Sequence, residues 1–128
     1  MIAPAAYLID THIIVWLSDD DPRLSRTVVG VVADPNAKIA MSAVTAWEFC
    51  DLQQRGRLPV TVHLGDFLDQ FDCAVLDLPA GIWRSAAGLP PIHGDPVARM
   101  VVAHALHTGL VLVTADAKMR EYPVATLW

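Results

Sequence analysis

Asp10, Glu48, Asp95 and Asp116 are widely separated in the chain and are the residues whose types could do chemistry together. Asp10 directly follows the apolar run Tyr7-Leu8-Ile9, as a carboxylate does when a buried parallel strand ends at a polar edge. Asp116 follows Leu110-Val111-Leu112-Val113 at the same edge, with Thr114 and Ala115 between. Glu48 falls in the first two turns of a helix that opens at Ser42 after the run Lys38-Ile39-Ala40-Met41. Asp95-Pro96 is a strong helix opening, with the aspartate as N-cap and the proline at the first helical position. In an open parallel sheet, ligands bind at the carboxyl ends of the strands, and all four acids are expected at that edge. Carboxylates brought together repel by about 4 kcal/mol per close pair at an effective dielectric of about 20, so the cluster needs cations or protons. Oxygen ligands without histidine or cysteine select Mg²⁺ or Mn²⁺, and such an ion beside a phosphate is the arrangement of phosphodiester hydrolysis.

Each acid also has a purely structural reading. Asp10 could cap the helix after the first strand, Asp116 the turn at 118–120, and Asp95 its own helix. Glu48 completes a capping box if Thr45 is the N-cap, whereas a helix starting at Ser42 leaves it free to face the site. His12, His93, His104 and His107 show no shared ligand spacing and are expected on the surface or in packing. Trp47, Trp83 and Met100 are expected in the core, Cys50 and Cys73 as reduced packing residues, and 19–21 as a solvated loop.

The elements that must position these residues alternate between strand and helix. Strands are expected at 7–9, 38–41, 73–78 and 110–113, with a short fifth at 124–127. Helices are expected at 12–17, 25–33 with Ser25 as cap, 42–55, 62–71, 80–87 and 95–108, the last ended by Gly109. This pattern predicts an α/β fold of three layers, α/β/α, around a mostly parallel sheet of four to five strands. At 128 residues one domain spanning 1–128 is expected. Hydrophobic residues at 54% against 18% charged exclude a disordered chain and leave apolar surface for a partner. The run Ala3-Pro4-Ala5-Ala6-Tyr7-Leu8-Ile9 fits neither a signal peptide nor a membrane span, which points to the cytoplasm. A net charge of −5 argues against a broad basic face for nucleic acid but permits contact with phosphates through a bound cation.

Four segments resemble the motifs of VapC toxins, ribonucleases of the PIN-domain type. They are Tyr7-Leu8-Ile9-Asp10-Thr11-His12, Met41-Ser42-Ala43-Val44-Thr45-Ala46-Trp47-Glu48, the run from His93 to Ala105, and the run from Gly109 to Asp116, in family order. The resemblance implies a PIN fold, a Mg²⁺ or Mn²⁺ site, cleavage of RNA phosphodiesters by an activated water, a homodimer, and inhibition by a VapB antitoxin. By position it makes Asp10, Glu48 and Asp116 the metal-site acids, Thr114 a polar support, and Asp95 the first acid of the third motif. The family's Asp-Pro-x-Asp-Arg is broken at Ala98, which occupies the place of the second aspartate, so the site is expected to be one ligand short and the chain impaired. Because Asp95, Pro96 and Arg99 remain, Ala98 is read as an introduced replacement of an aspartate. The competing reading is an inactive PIN-fold binding module that pairs with an antitoxin. A receiver-type phosphate domain ranks below both, since Asp10 is followed by Thr11 and His12 rather than a second acid.

Overall fold

The computed structural model describes residues 6–128, so the start of the N-terminal run, including Ala3, Pro4 and Ala5, lies outside the described residues. The elements are β1 (Ala6–Ile9), α1 (Thr11–Ser18), α2 (Arg26–Ala33), β2 (Lys38–Ser42), α3 (Ala43–Gln54), α4 (Leu64–Gln70), β3 (Ala74–Leu76), α5 (Ile82–Ala87), α6 (Pro96–Thr108), β4 (Val111–Val113), a 3₁₀ turn (Met119–Glu121) and β5 (Thr126–Leu127). Every pairing among the described strands is parallel, in the order β3-β2-β1-β4-β5.

Side chains alternate across a pleated strand, and the core divides accordingly. Ile9, Ile39, Met41 and Val113 point to one face, where Ile13, Val28 and Phe49 cover them. Leu8, Ala40 and Leu112 point to the other and meet Val101, Val102 and Ala105 of α6. Three layers result, with β1 the central strand between β2 and β4.

Local chemistry sets the helix ends. Ser25 Oγ accepts from Val28 N–H, Ser42 Oγ from Val44 N–H, and Asp95 Oδ1 from Val97 N–H. Gly109 closes α6 in the left-handed region, φ +74°, where a Cβ is strained. Several expectations are corrected. Of the two starts left open for α3, the one at Ser42 is observed and the capping box at Thr45 is not, and the buried Thr45 hydroxyl has no partner among the described residues. The third strand holds only Ala74–Leu76 of the expected 73–78, because an edge strand pairs on one side alone. The elements expected at 62–71, 80–87 and 124–127 are likewise shorter. Trp47 and Trp83 are not core residues but 58% and 62% exposed, and Cys50 is exposed while Cys73 is buried. Among the described residues no helix is long and apolar enough to cross a membrane.

Candidate functional site

The chain leaves β1 towards β2 on one side of the sheet and leaves β4 towards β5 on the other. Between two such neighbours the connections diverge and open a crevice at the strands' carboxyl ends. Asp10 follows β1 there, and Thr114 and Asp116 follow β4. Asp10 Oδ1 accepts from Thr11 N–H at 2.8 Å, capping α1, and its Oδ2 accepts from the buried Thr114 hydroxyl at 2.9 Å. Thr11 in turn donates its hydroxyl to Glu48 Oε1 at 2.5 Å, which ties α3 to the end of β1. Asp116 Oδ1 accepts from the backbone N–H of Lys118 and Met119 at 2.9 and 3.2 Å.

A histidine links the remaining acids. Nε2 of His93 lies 2.8 Å from Asp116 Oδ2, and Nδ1 accepts from Asp95 N–H at 3.0 Å. With Nδ1 used as an acceptor, the ring proton must sit on Nε2, which donates to Asp116. His93 is itself held by its backbone N–H, which donates to Tyr122 Oη at 2.8 Å. Asp10, Glu48, Asp95 and Asp116 line one cavity of about 220 Å³, and Ala98 forms part of its wall. A larger recess of about 500 Å³ lies at the opposite, amino-terminal edge of β2 and β3, so size alone does not locate the chemistry.

The electrostatics separate the acids. Burial pushes Asp10 above the usual carboxylate range, more than the hydrogen bonds from Thr11 and Thr114 pull it down. Glu48 is also raised, by burial first and then by the charges of Asp10 and Asp95, against the pull of the Thr11 hydrogen bond. For Asp116 burial again acts upward, but His93 and the Met119 and Lys118 N–H groups outweigh it and the carboxyl is lowered. Two acids held above their ordinary range, by burial first and by neighbouring acids after it, beside a third held below it are what a cation would relieve. The donor set, all hard oxygens, fits Mg²⁺ or Mn²⁺ in kind. It is a shared cavity rather than a closed cage: among the described residues no group of three or more acids, histidines or cysteines is close enough to hold one ion.

Sequence reasoning picked out the acids and Thr114 but missed Thr11 and His93, which hold them. His93 had a signal in the run His-Gly-Asp-Pro, two residues before the cap of α6. Thr11 had only its place directly after Asp10. His104, expected on the surface or in packing, is buried with Nδ1 2.8 Å from Ser42 Oγ. His12 and His107 are exposed.

The sequence matches the PIN domain family over residues 7–125. Ribonuclease VapC22 of Mycobacterium tuberculosis is 27% identical over 128 residues, covering 94% of this chain and 97% of that protein. Among solved structures, VapBC2 from Rickettsia felis, bound to a DNA fragment from its promoter, is similar with a TM-score of 0.68 at 20% identity, over 95% of this chain and 97% of that one. VapBC-1 from nontypeable Haemophilus influenzae is similar with a TM-score of 0.60 at 19% identity, over 95% and 96%. At these identities the structural likeness speaks for the fold.

Proposed function

The chain belongs to the PIN domain family, and on that premise we propose that it is a metal-dependent endoribonuclease of the VapC kind, the toxin of a toxin–antitoxin pair, built as one PIN domain over 1–128. The observation that carries this reading is the meeting of four acids from distant parts of the chain in one cavity at the carboxyl ends of β1 and β4. The relative named a ribonuclease supports the activity.

In this reading Asp10, Glu48 and Asp116 are the residues that would hold Mg²⁺ or Mn²⁺, closing around an ion that no three of them are near enough to hold as they stand. The ion would supply the positive charge that an acidic cavity lacks and that attack of water on a phosphodiester requires. Thr114 fixes the outer oxygen of Asp10, Thr11 aims Glu48, and His93 orients Asp116. Asp95 adds negative potential to the cavity while its carboxylate caps α6. Ala98 is the vacated acidic position, and turnover in this chain is slow as a result. The partners are an RNA substrate, a second copy in a homodimer, and a VapB-like antitoxin. The Rickettsia and Haemophilus neighbours, both VapBC pairs, support the last. RNA as substrate and an antitoxin as partner place the work in the cytoplasm.

The alternative, a catalytically inactive PIN-fold module that only pairs with an antitoxin, is favoured by one observation. The Ala98 methyl group packs into an apolar cluster at a point where an acid would complete the set. Restoring the acid separates the two. Ala98→Asp is expected to cut a mixed RNA pool in Mg²⁺ at least 100-fold faster than the chain as it stands, and a co-encoded small protein is expected to block it. No cleavage by Ala98→Asp would leave the binding module standing, and fast cleavage by the unaltered chain would mean that Asp95 or another group completes the site.

A further inference from the structure

Beside the acid cavity, and sharing Asp10, His12 and Asp116 with it, lies a second recess of about 350 Å³ that extends to Trp16 and Arg23. Its far wall is aromatic and cationic. The Trp16 ring is half-buried on α1 and braced by Trp128, with ring centroids 5.5 Å apart and planes tilted by 52°. Arg23 Cζ lies 5.0 Å from the Trp16 ring centroid. The guanidinium is fixed by its edge, since Nε and Nη2 donate to Asp21 Oδ1 and Oδ2 at 3.1 and 2.8 Å. In-plane bonds occupy the edge of a guanidinium and leave its flat faces for stacking; one lies over the Trp16 ring, and the Arg23 side chain remains 68% exposed. Its charge is already matched by Asp21, so what Arg23 presents to the recess is mainly a rigid planar surface. Sequence reasoning treats 19–21 as a solvated loop; Asp21 is instead the anchor of this platform.

We propose that the recess is a base subsite, which receives a nucleobase of single-stranded RNA next to the phosphate placed at the acids, stacked on the Trp16–Arg23 platform. The proposal rests on the ribonuclease reading and names what that site recognises. Only an unpaired, splayed base exposes a face to such a platform, because bases in an A-form duplex stay stacked and their deep groove admits no side chain. The shared wall of Asp10 and Asp116 sets the subsite directly beside the reacting position. Stacking also fits a chain of net charge −5, which has little positive charge to grip phosphates and must draw affinity from base faces. Because every base has a π-face, the subsite tolerates sequence and selects for strandedness.

The test is fluorescence anisotropy with a labelled uridine heptamer in Mg²⁺, using the chain with Ala98 so that binding is read with little cleavage. Trp16→Leu and Arg23→Ala are each expected to weaken binding about tenfold, with Trp16→Phe retaining most of it. Removing one base at a time from the heptamer is expected to cost a similar factor at one position on the unaltered protein and nothing further on Trp16→Leu. This abasic series needs no variant, so misfolding of Trp16→Leu cannot mask the result. If the unaltered protein binds the heptamer but every abasic position and both variants bind equally well, the subsite is overturned and the ribonuclease reading survives. An Arg23→Ala loss that vanishes at high salt, with none from Trp16→Leu, would make the contact one with phosphate and also overturn it. Loss of a protein partner by Trp16→Leu without loss of RNA would assign the recess to that partner instead. Failure of the unaltered protein and of Ala98→Asp to bind any RNA would overturn both readings together.

Discussion

The Ala98 side chain, 7% exposed, lies between two environments, the apolar cluster of Leu8, Val101 and Leu112 and the wall of the acid cavity. An aspartate there would add a carboxylate beside Asp10 and Glu48, which burial already pushes up. Without divalent ions, Ala98→Asp is therefore expected to lower stability by about 1 to 3 kcal/mol. Thermal melts should show Mg²⁺ raising the midpoint of Ala98→Asp more than that of the parent; equal shifts would mean that position 98 does not face the ion. Thr45 poses the opposite problem, a buried hydroxyl with no partner among the described residues. An unsatisfied buried polar group costs about 1 to 3 kcal/mol, and valine has nearly the same shape. Thr45→Val is expected to raise the urea midpoint by the equivalent of about 1 kcal/mol, and a lower midpoint would show that the hydroxyl has a partner after all.

At the scale of elements, α3 shows what the sequence holds and what pairwise motif reading overlooks. At about 100° per residue, Val44, Thr45, Phe49 and Leu52 fall in one arc, with Glu48 inside it and Trp47 outside. Glu48 faces the site, and Trp47 is exposed, for this one geometric reason. The exposure of Trp47 was legible in principle, but hydrophobicity alone placed it in the core. Helix α6 was legible almost to the residue, because Asp95-Pro96 and Gly109 mark its ends by local chemistry. What it does through Arg99 was not, since that depends on which carbonyls arrive nearby. Arg99 Nη1 donates to Pro90 O and Tyr122 Oη, and Nη2 to Ala86 O and Leu89 O. Tyr122 Oη also accepts from His93 N–H, so Arg99 braces the segment that presents His93 to Asp116. A lysine ammonium lacks the planar fork to serve these acceptors. Arg99→Lys is expected to destabilise the fold by about 2 kcal/mol in urea denaturation, and a neutral result would show that the four contacts do not constrain the segment.

For the whole molecule, strand and helix alternation was enough to predict the parallel sheet, and its carboxyl edge was enough to gather the acids. The connecting hydrogen bonds through Thr11 and His93 depend on side-chain packing between elements distant in sequence, which no spacing rule encodes. The same is true of His104. It is buried between α6 and the start of α3, where Ser42 Oγ, which accepts from Val44 N–H, lies 2.8 Å from His104 Nδ1. Burial first, and then the neighbouring His107, lower its pKa, so the fold holds it neutral. In the unfolded chain a histidine takes up its proton near pH 6.5 or so, at about the ordinary value. Between that value and the lower folded one the unfolded state binds more protons, so stability rises with pH across the window. The contribution is complete above about pH 6.5 and is lost as the pH falls towards the folded value. Asp10 and Glu48 act in the opposite sense, since carboxylates raised in the fold cost stability as the pH climbs through their range. Comparison with His104→Asn cancels their effect, because both proteins keep those acids. The urea midpoint of the parent is expected to fall more steeply than that of His104→Asn between about pH 7 and pH 5. Parallel curves across that window would mean that His104 takes up its proton in the fold as readily as in the unfolded chain, and that its burial between α6 and α3 carries no pH-dependent stability.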